Sequence, residues 1–439
     1  MVDASLKEAG ERCVQAFKQL GDRIERQWQR HDYDEVTLPS IAASALSEEA
    51  LHRKVQGRDI AAWVITCEQM GAQPNAKTPF GQPPITLYRG RRFYIEALQW
   101  LDSTTAIHQH GFSGAFSVLE GGSVHTFYQF HEAKRRTDQL LFGDLVVQDS
   151  EVLKPGDVRP IASGRDFIHA LFHLEHPSVS IVVRSVASPN AELQYAYQPP
   201  YIAFNPFDDD LWATKVVGYV HGLLAKSSPE APRFVASAIA AADARWAYDL
   251  LVQFGSPQLG ERLKVSADFA EAVAHAAHRA AQEKFGDDYP VVMLSHQEDR
   301  RIDGINRLRG RVKDPNERFF LALLMNVPNP ARLLELVHDK FPHEDPAARV
   351  EDWVRALMNE GTHRADVAIG DDALLLIPSV IRNEPFKKAL WRMEAVHGKL
   401  DPSDHGAIAQ ALDNIRGLDL MRVFSGRSLP APYAKARGA

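Results

Sequence analysis

The sequence predicts an α+β multidomain chain. A central antiparallel β-barrel or sandwich is preceded by an N-terminal helical segment and followed by a large C-terminal all-α domain. Three observations carry this. From about residue 85 to 190, short runs rich in β-branched and aromatic residues follow one another: ITLYRG, RFYIEALQWL, TAIHQH, AFSVLEG, SVHTFYQF, GDLVVQDSEVL, DFIHALFHL and SVSIVVRSV. Many closely spaced strands of this kind build a sandwich or a barrel. On either side of that stretch the apolar spacing becomes that of amphipathic helices. The length of 439 residues exceeds one typical core, so two or three domains are expected.

Leu6, Cys13, Phe17, Leu20 and Ile24 share one face of a helix over about residues 4–30. A second helix is expected over about 47–70, opened by Ser47 with Glu48 and Glu49 in a first turn that suits the helix dipole. The stretch AQPNAKTPFGQPPI then reads as a linker. These boundaries give a helical segment over 1–75 and a barrel over 80–190. A transition with three prolines, AELQYAYQPPYIAFNPFDDD, leads to a helical domain over 205–430. Trp212, Phe234, Trp246, Phe319, Leu334 and Trp353 are expected in its core. Its basic cluster of Arg300, Arg301 and Arg307 reads as a solvated helix face, with an anionic partner as the other reading.

Hydrophobic residues make up 45% of the chain and charged residues 24%, as in an ordinary globular protein. A formal charge of -7 argues against a nucleic-acid-binding surface as the main business. Two cysteines, Cys13 and Cys67, exclude a disulfide framework and a Cys-rich zinc site. The N-terminal residues are charged and amphipathic, and no run approaches the apolar length of a membrane span. The expectation is a cytoplasmic protein without a membrane partner.

The informative segment is IHQHG. Side chains alternate along a strand, so His108 and His110 point the same way. Two imidazoles on one side of a strand can hold one metal if a third ligand comes from another strand. GRDFIHALFHLEHP offers His169, His173 and His176. His169 and His173 are in phase but roughly 13 Å apart along a strand, so they cannot share one ion. His125 and His131 read as strand-surface residues, the alternative being donors that fix an imidazole tautomer. Glu120, just before Gly121 and Gly122, reads as a turn residue rather than a ligand.

YRGRRFYIEALQWLDSTTAIHQHGFSGAFSVLEGG and DFIHALFHLEHPSVSIVVRS resemble the two metal motifs of the cupins, and within them the cysteine dioxygenase (thiol dioxygenase) branch. The resemblance covers about a quarter of the chain. It implies a jelly-roll-like cupin barrel and a three-histidine centre of His108, His110 and His169. Typical cupins add a glutamate five residues after the second histidine, a position that falls on Ala115, and the thiol dioxygenase branch lacks it too. The resemblance also implies an arginine for a substrate carboxylate at Arg89 and a second histidine at His176. It departs where the family has Ser, His and Tyr on one late strand: the matching positions are Ser180, Val182 and Arg184. If Ser180 faces the interior, Arg184 does too, and Arg89 and Arg184 would make a cationic pocket.

The function expected from this reading is a mononuclear non-haem iron dioxygenase. It would use Fe(II) and O₂ on a small anionic substrate, with Arg89, Arg184, Ser180 and His176 around the ion. Three neutral imidazoles would hold Zn, Mn or Ni as well. The helical regions would cover the barrel mouth or build a homodimer. A metal-binding sensing or scaffold protein whose helices mediate interactions is the alternative, as is a cupin enzyme of another reaction type.

Overall fold

A computed structural model describes residues 4–74, 80–101, 104–186, 193–256, 259–260, 264–359 and 371–426. Helix α1 (Ala4–Gln29) carries Cys13, Phe17, Leu20, Ile24 and Trp28 on one buried stripe. Leu6, expected on that stripe, is 41% exposed. The helix expected over 47–70 is two helices, α2 (Leu38–Glu49) and α3 (Gly57–Thr66). Pro39 sits in the first turn of α2, where its missing N–H breaks no bond. Ala50, at a left-handed φ of 45°, ends that helix. Ser47, Glu48 and Glu49 therefore stand in a last turn, not a first. α3 begins after Gln56, whose N–H is held by Asp59 at 2.9 Å.

Eleven strands follow among the described residues: β1 (Pro84–Arg89), β2 (Phe93–Trp100), β3 (Ile107–His110), β4 (Gly114–Glu120), β5 (Ser123–Thr137), β6 (Leu140–Leu153), β7 (Val158–Ile161), β8 (Gly164–His173), β9 (Ser178–Ser185), β10 (Ala196–Gln198) and β11 (Ile202–Phe204). All their pairings are antiparallel. One sheet has the order β1-β2-β9-β4-β7, and β10-β11-β6-β5-β8-β3 form a closed barrel. This is the expected central antiparallel barrel, flanked by N-terminal helices and a C-terminal helical region.

The two-residue period of the strands sorts the side chains. On β2, β4 and β9 the set Ile95, Ala97, Ala115, Leu119, Ile181 and Val183 faces outward and packs against Phe17, Leu20 and Ile24 of α1. Burying each of the larger of these side chains contributes about 1.5–3 kcal/mol. The alternate set on β4 and β9, Phe116, Val118 and Val182, faces inward and meets Phe167 of β8. At Gly114 a Cβ would lie 1.9 Å from the Val183 carbonyl oxygen, so only glycine lets β4 run this close to β9.

The barrel continues beyond residue 190. β10 pairs with β3 and β11 with β6, which closes the ring. These strands have three residues each and are separated by Pro199 and Pro200, too short a run for any periodicity to show. The outer barrel wall is covered by the C-terminal helices. Leu140, Phe142, Tyr201 and Ile202 share a core with helices between residues 211 and 292, and Val124, Phe172 and Leu174 share another with helices between 305 and 424. Two buried arginines pin the second group: Arg309 donates to the His173 carbonyl at 2.9 Å and Arg318 to that of Leu174 at 3.1 Å.

Phe319 and Trp353 are buried as expected, but Trp212 and Phe234 are 42% and 46% exposed. Arg301 is not on a solvated face. It is buried, donating to Glu298 at 2.9 Å and to the Leu324 carbonyl at 3.1 Å. Among the described residues no helix is long and apolar enough to cross a membrane.

Candidate metal centre

β3 lies between β10 and β8, and His108 stands directly opposite His169 of β8. The register then slips, and His110 faces Gly164. One ring nitrogen from each of His108, His110 and His169 lies within 4.8 Å of the others. All three residues are buried, at 4%, 8% and 3% exposure. The Nε2 atoms of His110 and His169 are 2.9 Å apart. Metal–imidazole bonds run about 2.0–2.1 Å, so two ligand nitrogens at right angles on one ion stand about 3 Å apart. The pair already has the spacing of neighbouring ligands.

The protonation states suit that role. Burial pushes the His108 imidazole down to about 4. Burial, with His108 close by, holds His110 and His169 well below the usual histidine range. All three are neutral at pH 7 and can offer lone pairs. The Nδ1 of His108 meets the Ala106 carbonyl at 2.8 Å, which places its proton there and leaves Nε2 bare.

His125 is not a surface residue. Its side chain is fully buried, with Nε2 2.9 Å from His169 Nδ1 and Nδ1 3.0 Å from Glu151 Oε1. In β5 His125 shares its phase with Ser123, Phe127, Gln129 and His131, and the apolar set Val124, Tyr128 and Phe130 alternates with it, so periodicity points His125 outward. Glu151, within VVQDSEVL, looks like part of a surface acidic turn and went unnoticed.

The three histidines line a cavity of about 200 Å³. Ser180, Val182 and Arg184 line it together, as their shared phase on β9 requires. The Arg184 guanidinium lies over the Phe112 ring at 4.0 Å and the Tyr94 ring at 5.3 Å. Its Nη1 is 3.7 Å from the buried carboxylate of Glu96, a cavity residue that the sequence reading missed. Thr86 donates to the other oxygen of Glu96 at 3.2 Å. Phe80, Trp100, Phe112 and Phe116 supply the apolar wall.

The other candidate positions stand elsewhere. Arg89 is exposed at the end of β1 and does not line the cavity, so it makes no cationic pocket with Arg184. His176 is exposed and bonds the Leu101 carbonyl through Nδ1, outside the cavity. Ala115 packs toward the N-terminal helices, and the inward residue of β4 is Phe116, so the position that typical cupins fill with glutamate faces away from the three histidines. Glu120 accepts from the Gly57 N–H at 2.8 Å and caps the start of α3. His173 stacks on Trp100 at 4.6 Å and meets the hydroxyls of Ser123 and Ser178. His131 is half-buried on β5, outside the cavity lining.

No protein-family model matches this sequence. No curated protein matches it either. Among solved structures, a chain from the crystal structures of DMSP lyases RdDddP and RnDddQII matches with 13% identity and a TM-score of 0.24, over 44% of this chain and 100% of that one.

Proposed function

We propose that this chain is a metal-dependent cupin enzyme, and specifically a mononuclear non-haem iron dioxygenase that oxidises a small anionic substrate with O₂. His108, His110 and His169 would hold the ion. The observation that carries the proposal is the grouping of three buried, neutral imidazoles, with no carboxylate among them, on a cavity that also contains Arg184. Bound there, Fe(II) would supply a centre of undiminished positive charge at which an anionic donor and O₂ are activated side by side.

The chain's own residues supply binding and exclusion. Arg184, its plane fixed on Phe112, presents N–H groups to a substrate carboxylate, a contact strengthened by the low dielectric of the cavity. Ser180 offers a hydroxyl beside it. Phe80, Phe116 and Val182 keep water away from the reacting end. Val182 and Arg184 stand where thiol dioxygenases have histidine and tyrosine, so a thiol would be oriented by the centre and Arg184 alone.

The test is metal analysis of the purified protein, followed by O₂ uptake with a panel of small thiol carboxylates and amino acids. About one iron per chain and stoichiometric O₂ consumption with one member are expected. Protein carrying no transition metal, and gaining none on incubation with Fe(II), would overturn the proposal. Turnover without O₂ uptake would move it to a non-oxidative cupin reaction.

A further inference from the structure

We propose that His125 and Glu151, with Arg159 behind them, form a hydrogen-bond relay that fixes the tautomer of His169 and presents its Nε2 as a bare lone pair. This rests on the metal centre proposed above and extends it to residues three strands away.

The relay crosses neighbouring strands. Glu151 of β6 stands directly opposite His125 of β5. His125 in turn faces Leu171 of β8, which puts it diagonal to His169 on the same face. The links are short: His169 Nδ1 to His125 Nε2 is 2.9 Å, and His125 Nδ1 to Glu151 Oε1 is 3.0 Å. Arg159 of β7 donates from Nε to Glu151 Oε1 at 2.8 Å and from Nη2 to Oε2. β7 belongs to the other sheet, so the relay ties the two halves of the fold together.

Its direction follows from the chemistry of its end. Arginine can only donate and a carboxylate can only accept. Burial alone would raise the Glu151 carboxyl, but the bonds from His125 and Arg159 outweigh it and hold the group down to about 2. The carboxylate therefore accepts from His125 Nδ1–H. The neutral His125 ring then has a bare Nε2, which accepts from His169 Nδ1–H. His169 is left with a bare Nε2, the atom 2.9 Å from His110 Nε2. Either ring flipped to its other tautomer would set two lone pairs or two protons face to face. Aromatic neighbours stop the rings from turning: Phe127 lies 4.2 Å from His125 and Phe167 4.6 Å from His169. A carboxylate feeding through two imidazoles also makes His169 a stronger donor to a cation.

The test uses the full chain, with Co(II) alone as the probe read by absorbance and imidazole ¹⁵N shifts read in metal-free protein. His125→Leu and Glu151→Gln are expected to weaken Co(II) binding about 10–100-fold. His125→Gln, whose amide can accept from His169 and donate to Glu151, is expected to stay within about threefold of the parent. In the metal-free parent His169 is expected as the Nδ1–H form, and in His125→Leu as a mixture. The relay is overturned if folded His125→Leu binds Co(II) as tightly as the parent, or if His169 carries its proton on Nε2 in the parent. Should His125→Leu not fold, Glu151→Gln and the parent shifts decide. If His108→Ala binds Co(II) like the parent, the metal centre itself fails, and the tautomers still judge the relay.

Discussion

His108 of β3 and His169 of β8 stand directly opposite one another in the antiparallel ladder, their ring centroids 4.8 Å apart. The pairing that seals one seam of the barrel thus also sets the spacing of two candidate ligands. Side chains opposed in this way have Cβ atoms about 4.5–5.5 Å apart, a distance that one ion between two rings can bridge.

Removing a ligand is expected to abolish loading without unfolding the barrel. For His108→Ala, metal content measured by mass spectrometry should fall from about one per chain to below about a tenth, because three ligands hold the ion and two do not. The parent should gain thermal stability when metal is added, worth about 2.7 kcal/mol at a hundredfold excess over Kd. His108→Ala should show no such gain.

Arg184 should govern substrate affinity and leave metal content alone. A hydrogen-bonded ion pair of this kind contributes about 1.5–3 kcal/mol, so Arg184→Met is expected to raise KM for a carboxylate substrate about 10–100-fold. Arg184→Lys keeps the charge but loses the planar fork and should recover only part of it. Unchanged KM in Arg184→Met would remove it from the binding site.

Gly114→Ala should be among the more damaging single changes. Its Cβ would meet the Val183 backbone oxygen at 1.9 Å, and neither strand has a flexible side chain to give way. A loss of about 2 kcal/mol or more in unfolding free energy, measured by urea titration, is expected, since strand pairing at β4–β9 must open. The cavity residues Phe116 and Arg184 sit on those two strands, so metal content should fall with it.

Asp299 should make stability depend on pH in an unusual direction. Burial, then Asp303, Asp249 and Glu298, raise its carboxyl to about 6. The folded state therefore holds a proton that the unfolded chain gives up near pH 4. Its contribution is present below that pH and is lost as pH rises through 6. Asp299→Asn should gain on the parent by up to about 2–3 kcal/mol between pH 4 and 8. His296 acts in the opposite sense: burial, then His278 and Arg300, lower it to about 4, so its contribution is lost as pH falls. The difference between parent and variant isolates Asp299, and a flat difference across that range would refute the assignment.

How much of this was legible in the sequence depended on whether a pattern had two faces to contrast. β9 did: Ser180, Val182 and Arg184 alternate with apolar Ile181 and Val183, the phase argument put all three on one face, and that face lines the cavity. The spacing of His108 and His110 was equally readable. β5 misled by the same rule: His125 alternates with apolar Val124, Tyr128 and Phe130 and shares its phase with polar Ser123, Gln129 and His131, which reads as the outward face. Ala115 falls on the glutamate position of the resemblance, but strand phase turns it toward the N-terminal helices and Phe116 inward. Glu96 is a lone acid among the apolar residues of FYIEALQW, and only the pairing of β2 with β9 brings it to Arg184. Arg89 and His176 were placed by resemblance alone, and local geometry takes both outside the cavity.

The closure of the barrel by β10 and β11 bears on how modular this chain is. β10 is the second neighbour of β3, the strand that carries His108 and His110. A fragment ending after β9 would hold every proposed ligand yet leave β3 with an unpaired edge, open to association with other chains. The half that carries the three histidines cannot be excised at the sequence boundary between strands and helices. Any shortened gene, fusion or domain transplant should retain the polypeptide through Phe204, and with it the first residues that lead into the helical region.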